Sequence, residues 1–428
     1  MLYESALSRG LQTARPSDAL RENAPIRAWE IAVVIGLAIF VLFYKLGVSP
    51  LFDWDEAIYA QISREILQRH SWIPLYWNFQ PFFDKPPLLM WATALFFEVF
   101  GPSELWARAA SALSGVALCV LMFSFAKRVG GSRAAWLTVV VLLTTTAFYD
   151  ASRFGTIDVL LTLGMYIGLA GLFHIDQGRL WGWYPFWIGF GVAVMAKGAG
   201  AAPLFLTTLC VAILNHWTKE KINRQFVIGI VLFAAIVLPW HIYMCVRFGA
   251  DFLGNYIGFG VLKRALSGIG AHNGGPRYYL LVLAERATPW VFFLPLAFLR
   301  ALKDRRLQIP VIFSLVILIF YTIARTKFPW YIVPAYPAFA VIVAFQLDEV
   351  LRDYPRLARL YPLGIVGVIA AFLYLSVRDI HGFDSAREDL KLLVEHAPKG
   401  YSGVVLLCSD RVNLPEPADL YYGQRKVA

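Results

Sequence analysis

The chain has 428 residues, 58% of them apolar, 15% aromatic and only 16% charged, with a mean hydropathy of +0.58. Soluble domains carry about 25% charged residues, so composition excludes an ordinary soluble fold and leaves a membrane protein. The formal charge of +10 is dispersed over short loops rather than clustered, which argues for membrane topology and against nucleic acid as a partner.

Residues 1–27 are polar, with Arg9, Arg15, Arg21 and Arg27, and lead directly into an apolar run from Trp29 to Val48. That order suits a cytoplasmic tail followed by an uncleaved first span. Further apolar segments cover about 104–126, 134–150, 157–174, 180–196, 200–217, 226–246, 277–299, 309–324, 328–347 and 362–377. Each approaches the roughly twenty residues that a helix needs to cross hydrocarbon. The run 87–100 is shorter and reads as re-entrant, interfacial or packed within the bundle. The expected fold is therefore an all-α polytopic bundle of about eleven to thirteen transmembrane helices.

The positive-inside rule orders these spans. Lys127, Arg128 and Arg133, then Lys219, Lys221 and Arg224, then Arg300, Lys303, Arg305 and Arg306, and finally Arg352, Arg356 and Arg359 fall on one side. Two large loops, 49–103 and 247–276, fall on the other side with the tail 378–428. The membrane domain is thus 28–377, and its outer face is periplasmic if the N-terminus is inside. In the tail, Gly403–Cys408 suits a buried strand and 385–396 a helix, so a short α/β appendage is expected. The four cysteines lack CxxC or Cys/His spacing, and no disulfide framework or zinc site is expected.

The outer loops concentrate the polar chemistry. After Asp53 the sequence runs DWDEAIYAQISREIL. Ile58, Ile62, Ile66 and Leu67 share one helical face and Gln61, Arg64, Glu65 and Gln68 the other, a pattern for a helix lying along the interface. Asp53 and Glu56 fit a capping box as N-cap and N3. Asp55 is left for other work, and the helix dipole should favour its ionised form. Asp84-Lys85-Pro86-Pro87 places Lys85 at a helix mouth, where it can meet a phosphate or merely snorkel. Asp158 opens an apolar segment, where a carboxylate faces a polar cavity or pairs with Arg153. Lys197 in AKGAG, Lys263, Arg264, His272 and Arg277 in the second loop, and Arg325, Lys327 and Tyr331 in RTKFPWY complete the outer set. Acids and bases gathered on one face suit a site that holds an anion while acting on its neighbour. A transporter would instead place charges near the midplane, with repeated halves, and no repeat is evident.

DWDEAIYAQISREIL, FFDKPPLLMWATALFFEVFGPSELWARAASAL, SRFGTIDVLLT, AKGAG and TKFPWYIVPAYPAFAV together resemble the GT-C membrane glycosyltransferases. Within these the chain is similar to bacterial aminoarabinose transferases of lipid A and to protein O-mannosyltransferases, over about residues 28–350. The resemblance implies a polyprenyl-phosphate-linked sugar as donor, a lipid or protein acceptor at the periplasmic face of the inner membrane, and no nucleotide sugar. By position, Asp55 corresponds to the family's loop aspartate and Asp158 to a second acidic position. Lys85 and Tyr331 match positions associated with the lipid phosphate, and His272 and Arg277 fall in the loop with a functional histidine and arginine. On this reading Asp55 and Asp158 are catalytic and Lys85, Arg277 and Tyr331 hold the phosphate. Asp84, where the family block often has Glu, and His272 are the pair expected to hold any divalent metal ion. The aminoarabinose transferases are longer, and YYGQRKVA resembles an early portion of their C-terminal domain.

Overall fold

A computed structural model describes residues 25–52, 54–78, 80–267 and 274–380, the last with side chains to 374. The expected tail elements, Asp53 and His272 lie outside the described residues. The chain opens with α1 (Ala28–Phe43), then α2 (Asp55–Arg69), a two-stranded antiparallel hairpin of β1 (Tyr76–Trp77) and β2 (Gln80–Pro81), and α3 (Leu88–Phe100). The bundle continues with α4 (Glu104–Gly130), α5 (Ser132–Leu143), α6 (Thr146–Arg153), α7 (Ile157–Asp176), α8 (Trp183–Lys197) and α9 (Ala202–Leu214). It is completed by α10 (Arg224–Leu253), a π-helical stretch Gly254–Lys263, α11 (Tyr278–Arg286), α12 (Leu294–Ala301), α13 (Gln308–Ile323), α14 (Tyr336–Asp353) and α15 (Pro355–Ile380).

Among the described residues, seven helical segments are long and apolar enough to cross a membrane, or eight if α5 and α6 form one span bent by 66°. The bend has a local cause. Thr144 and Thr145 turn their hydroxyls back onto the carbonyls of Val140 and Val141, both at 2.6 Å, which competes with the helix ladder. The expected span 277–299 is split into α11 and α12 instead, because Pro289 has no N–H for the ladder and α11 ends at Arg286.

Contacts between helix ends show which elements reverse direction. Asn215, just past α9, donates to Asp176 at the end of α7 at 2.8 Å, and the Trp183 indole at the start of α8 donates to the carbonyl of Lys221 at 2.8 Å. α8 therefore leaves this end of the bundle and α9 returns to it, with Lys197 at the far end. Near the same end as Asp176, Lys127 pairs with Glu30, and Arg133 and Arg352 both pair with Asp348. These belong to the loops assigned to the inner side, and their partners leave them stapling helices together.

The seam between α7 and α8 depends on glycine. A Cβ on Gly189 would lie 2.4 Å from the Gly168 nitrogen and 2.5 Å from the Gly164 carbonyl oxygen; one on Gly171 would lie 2.4 Å from the Gly182 oxygen. Backbones this close pack without side chains between them, as small residues allow in membrane bundles. We expect Gly189→Ala to push the helices apart and cost about 1–3 kcal/mol. A fall in the melting temperature of the detergent-purified protein would register it, and an unchanged melt would refute the close seam.

α2 departs from the expected interfacial helix. Glu56, Tyr59, Gln61, Arg64, Glu65 and Ile66 are all buried, so its polar face meets protein rather than water. Ile62, Ile66 and Tyr59 pack with Leu75, Phe82, Leu89 and Met90, which locks α2 onto the hairpin and α3. The capping expectation also changes. The N-cap position is Trp54, and Glu56 reaches back to the amide of Phe52 at 2.7 Å while also accepting from Gly155 N–H and from Arg108 Nε, each at 2.8 Å. Glu56 is thus a buried tie between the first loop, α4 and the turn before α7.

Candidate active site

With Glu56 tied to Arg108, its neighbour Asp55 is turned about 100° around the helix and looks to a different set of groups. Lys85, Asp158, Lys197 and Arg264 are the charges that act on it. Each arrives from a separate element. Lys85 precedes Pro87, the N-cap of α3, as the KPP block predicts. Asp158 lies in the first turn of α7 and is 3% exposed. Lys197 ends α8, where the glycine seam holds the two helices together, and its ammonium pairs with the Asp158 carboxylate. The alternative pairing of Asp158 with Arg153 does not form. Arg153 instead donates to the carbonyls of Leu42 and Tyr44 at 2.9 and 2.7 Å.

The basic side is completed from the second loop. The amides of Arg325 and Thr326 donate to the carbonyls of Ala265 and Arg264, both at 3.1 Å, and this pins the end of the second loop beside RTKFPWY. Arg264 then lies 3.5 Å from the Tyr331 hydroxyl, while the Lys197 ammonium sits 4.8 Å from the centre of the Tyr331 ring. Tyr331 is 7% exposed, and Tyr321 packs on it with ring centres 5.1 Å apart. Lys327 is used differently: it caps α13 by donating to the carbonyls of Thr322 and Ala324.

The structure therefore brings together Asp55, Lys85, Asp158 and Tyr331, with Asp84 at the edge, where its charge reaches Lys85 and Arg264. It does not bring in Arg277, which is exposed at the start of α11 and makes no side-chain hydrogen bond or ion pair with the described residues. Arg264, from the same loop, lies beside Tyr331 and acts on Asp55 instead. The resemblance pointed to Arg277, whereas the place of Arg264 depends on the backbone link from 264–265 to 325–326, which position in the sequence does not report. Nor do the described residues gather three His, Cys, Asp or Glu side chains around one point. His272, the partner expected of Asp84 at any metal, lies outside the described residues.

The electrostatics correct the expectation for Asp55. The helix dipole should lower its pKa, yet burial raises it above the usual aspartate value, with Lys85 only partly offsetting this. Desolvation of the carboxylate outweighs the dipole because the site lies among protein on most sides. For Lys85, burial first and the nearby Arg264 second bring the pKa down to about 8. A carboxyl raised and an ammonium lowered in one cluster is the arrangement expected of acid–base work beside an anion site.

Over most of its length the chain is similar to known proteins. Residues 84–243 match the dolichyl-phosphate-mannose-protein mannosyltransferase family. An undecaprenyl phosphate-alpha-4-amino-4-deoxy-L-arabinose arabinosyl transferase from Pseudomonas fluorescens is 25% identical over 82% of this chain, and one from Erwinia tasmaniensis is 27% identical over 79%. The chain spans 64% and 65% of their lengths, just under two thirds. The crystal structure of ArnT from Cupriavidus metallidurans bound to undecaprenyl phosphate superposes with a TM-score of 0.68 at 25% identity, over 83% of this chain and 73% of that one. An oligosaccharyltransferase of Archaeoglobus fulgidus, 13% identical with a TM-score of 0.52 over 87% of this chain and 59% of its own, shares the fold. By sequence and by fold the chain is similar to the GT-C membrane glycosyltransferases, among them the aminoarabinose transferases and the protein O-mannosyltransferases.

Proposed function

We propose that the chain transfers a sugar from a polyprenyl phosphate, undecaprenyl phosphate in a bacterium, to an acceptor on the outer face of the inner membrane, with inversion at the anomeric carbon. The observation that carries this reading is the cluster of Asp55, Asp158, Lys85, Lys197, Arg264 and Tyr331, which on this reading lines the substrate cleft. This reading takes eleven crossings, some short or broken, which would put that cleft on the periplasmic side.

An acceptor oxygen attacks the anomeric carbon opposite the phosphate. The bond from that carbon to the phosphate oxygen breaks, and the lipid phosphate leaves with the electron pair. The transition state is oxocarbenium-like, while negative charge gathers on the departing phosphate. Lys85, Arg264 and the Tyr331 hydroxyl stabilise that charge more strongly as it grows, which is where binding accelerates a reaction. Lys197 neutralises Asp158 and supports the Tyr331 ring, so it positions rather than reacts. Asp55 receives the acceptor proton. A carboxyl whose pKa is raised by burial suits an acceptor that loses a proton on attack. A singly protonated phosphate of lipid A, modified with aminoarabinose, meets that need, as does a protein hydroxyl.

The test is transfer from labelled undecaprenyl-phosphate sugars in membranes. Lys85→Ala should lower transfer by about 10²–10³-fold, the loss typical when a donor to a developing oxyanion is removed. In wild type, kcat/KM reports the free enzyme and should fall as pH rises past about 8, where Lys85 loses its proton. Lys85→Arg should abolish that alkaline fall, since a guanidinium stays charged. Wild-type turnover in Lys85→Ala, or an alkaline limb that survives Lys85→Arg, overturns the phosphate role of Lys85.

A further inference from the structure

Tyr59 carries chemistry that the mechanism above does not use. It lies one helical turn after Asp55 on α2, so the two side chains share a face. Its ring is 3% exposed and is packed among Ile62, Leu75, Phe82 and Met90. Its hydroxyl is buried and has no hydrogen-bond partner among the described residues. Buried hydroxyls are ordinarily satisfied, so an orphaned one needs an occupant. The charges acting on it are Asp55 and Asp158 first, then Arg264 and Asp84. The orphaned hydroxyl therefore lies on the face of α2 that carries Asp55, within range of the charges of both acids.

We propose that the Tyr59 hydroxyl is a specificity-determining contact for the sugar of the lipid-linked donor, hydrogen-bonding a polar substituent of the glycosyl ring. This rests on the function proposed above and names the part of the substrate that the cleft reads. A water bound to the hydroxyl gives way to the sugar group, and the hydrogen bond is regained only when a glycosylated donor is present. The aromatic ring serves packing and the oxygen serves recognition, so Tyr59→Phe separates the two.

The experiment compares binding of undecaprenyl phosphate with binding of undecaprenyl phosphates bearing 4-amino-4-deoxy-L-arabinose or mannose, on detergent-purified full chain. Wild type should bind one glycosylated lipid more tightly than the bare lipid. Tyr59→Phe should weaken that lipid about tenfold, as expected when a buried hydrogen bond to a ligand is lost, and leave the bare lipid within about twofold. Tyr336→Phe removes another buried, unpartnered hydroxyl outside the cleft and should change neither. Equal loss for both lipids, or no loss for either, overturns the assignment of Tyr59 and leaves the function standing. Failure of the wild type to bind any of these lipids overturns both.

Discussion

Replacing Asp55 with Asn should lower sugar transfer by about 10²–10⁴-fold, the range for losing a positioned general base, while binding of undecaprenyl phosphate persists. Asn keeps the shape at the start of α2 and cannot take a proton. Burial raises the pKa of Asp55, so in wild type kcat/KM should fall as pH drops through that raised value, and the variant should lack this acid limb. The same shift bears on stability with the opposite sense. The native state holds the proton more tightly than the unfolded chain, so stability declines as pH rises from the unfolded to the folded pKa and stays lowered above it. Asp55→Asn avoids that decline and should melt at or above the wild-type temperature at neutral pH. Activity near wild type would refute the base role, and a destabilised variant would show that Asp55 serves the fold instead.

The largest structural effect is expected at Arg108. Arg108 and Glu56 are each 2% exposed. The guanidinium makes bonds of 2.8 and 2.9 Å to the two Glu56 oxygens, and others to the carbonyls of Leu46, Ser49 and Pro50 at 2.8–2.9 Å. Arg108→Met would leave a buried carboxylate without its counter-charge and three carbonyls without this donor. Breaking a buried pair in this way costs about 3–5 kcal/mol. Adding Glu56→Gln should recover part of the loss, because the unpaired charge is removed with it. Thermal unfolding of the single and double variants measures both, and a double variant no more stable than Arg108→Met would refute the charge argument. Since the tie positions the start of α2, activity should follow stability.

The Glu56–Arg108 tie also shows where the sequence ceases to be informative. Asp53 and Glu56 at capping-box spacing are a local signal, and Glu56 does reach back to the Phe52 amide. Its ion pair spans 52 residues, a distance that no local pattern reports. The same holds for Arg264. Arg264 and Arg277 lie in one loop with similar composition, and only the hydrogen bonds to Arg325 and Thr326 separate them. Tyr59 had a signal within reach, four residues after Asp55 on the same face, but its orphaned hydroxyl is visible only once α2 is packed.

The sequence by itself determined a helical membrane protein with its polar residues crowded into two loops. Apolar runs must become helices where no water can satisfy the backbone, and basic loops report orientation. It also marked Asp55, Lys85, Asp158 and Tyr331, since a charged or phenolic group beside an apolar run is costly enough to stand out. Tertiary structure decided which of these meet and in what state of charge. The α7–α8 glycine seam sets Lys197 against Asp158, and burial outweighs the helix dipole at Asp55. Desolvation depends on everything packed around a group, whereas the dipole depends on position within a single helix. Local position is written in the sequence, and enclosure arises only when the elements close around the site.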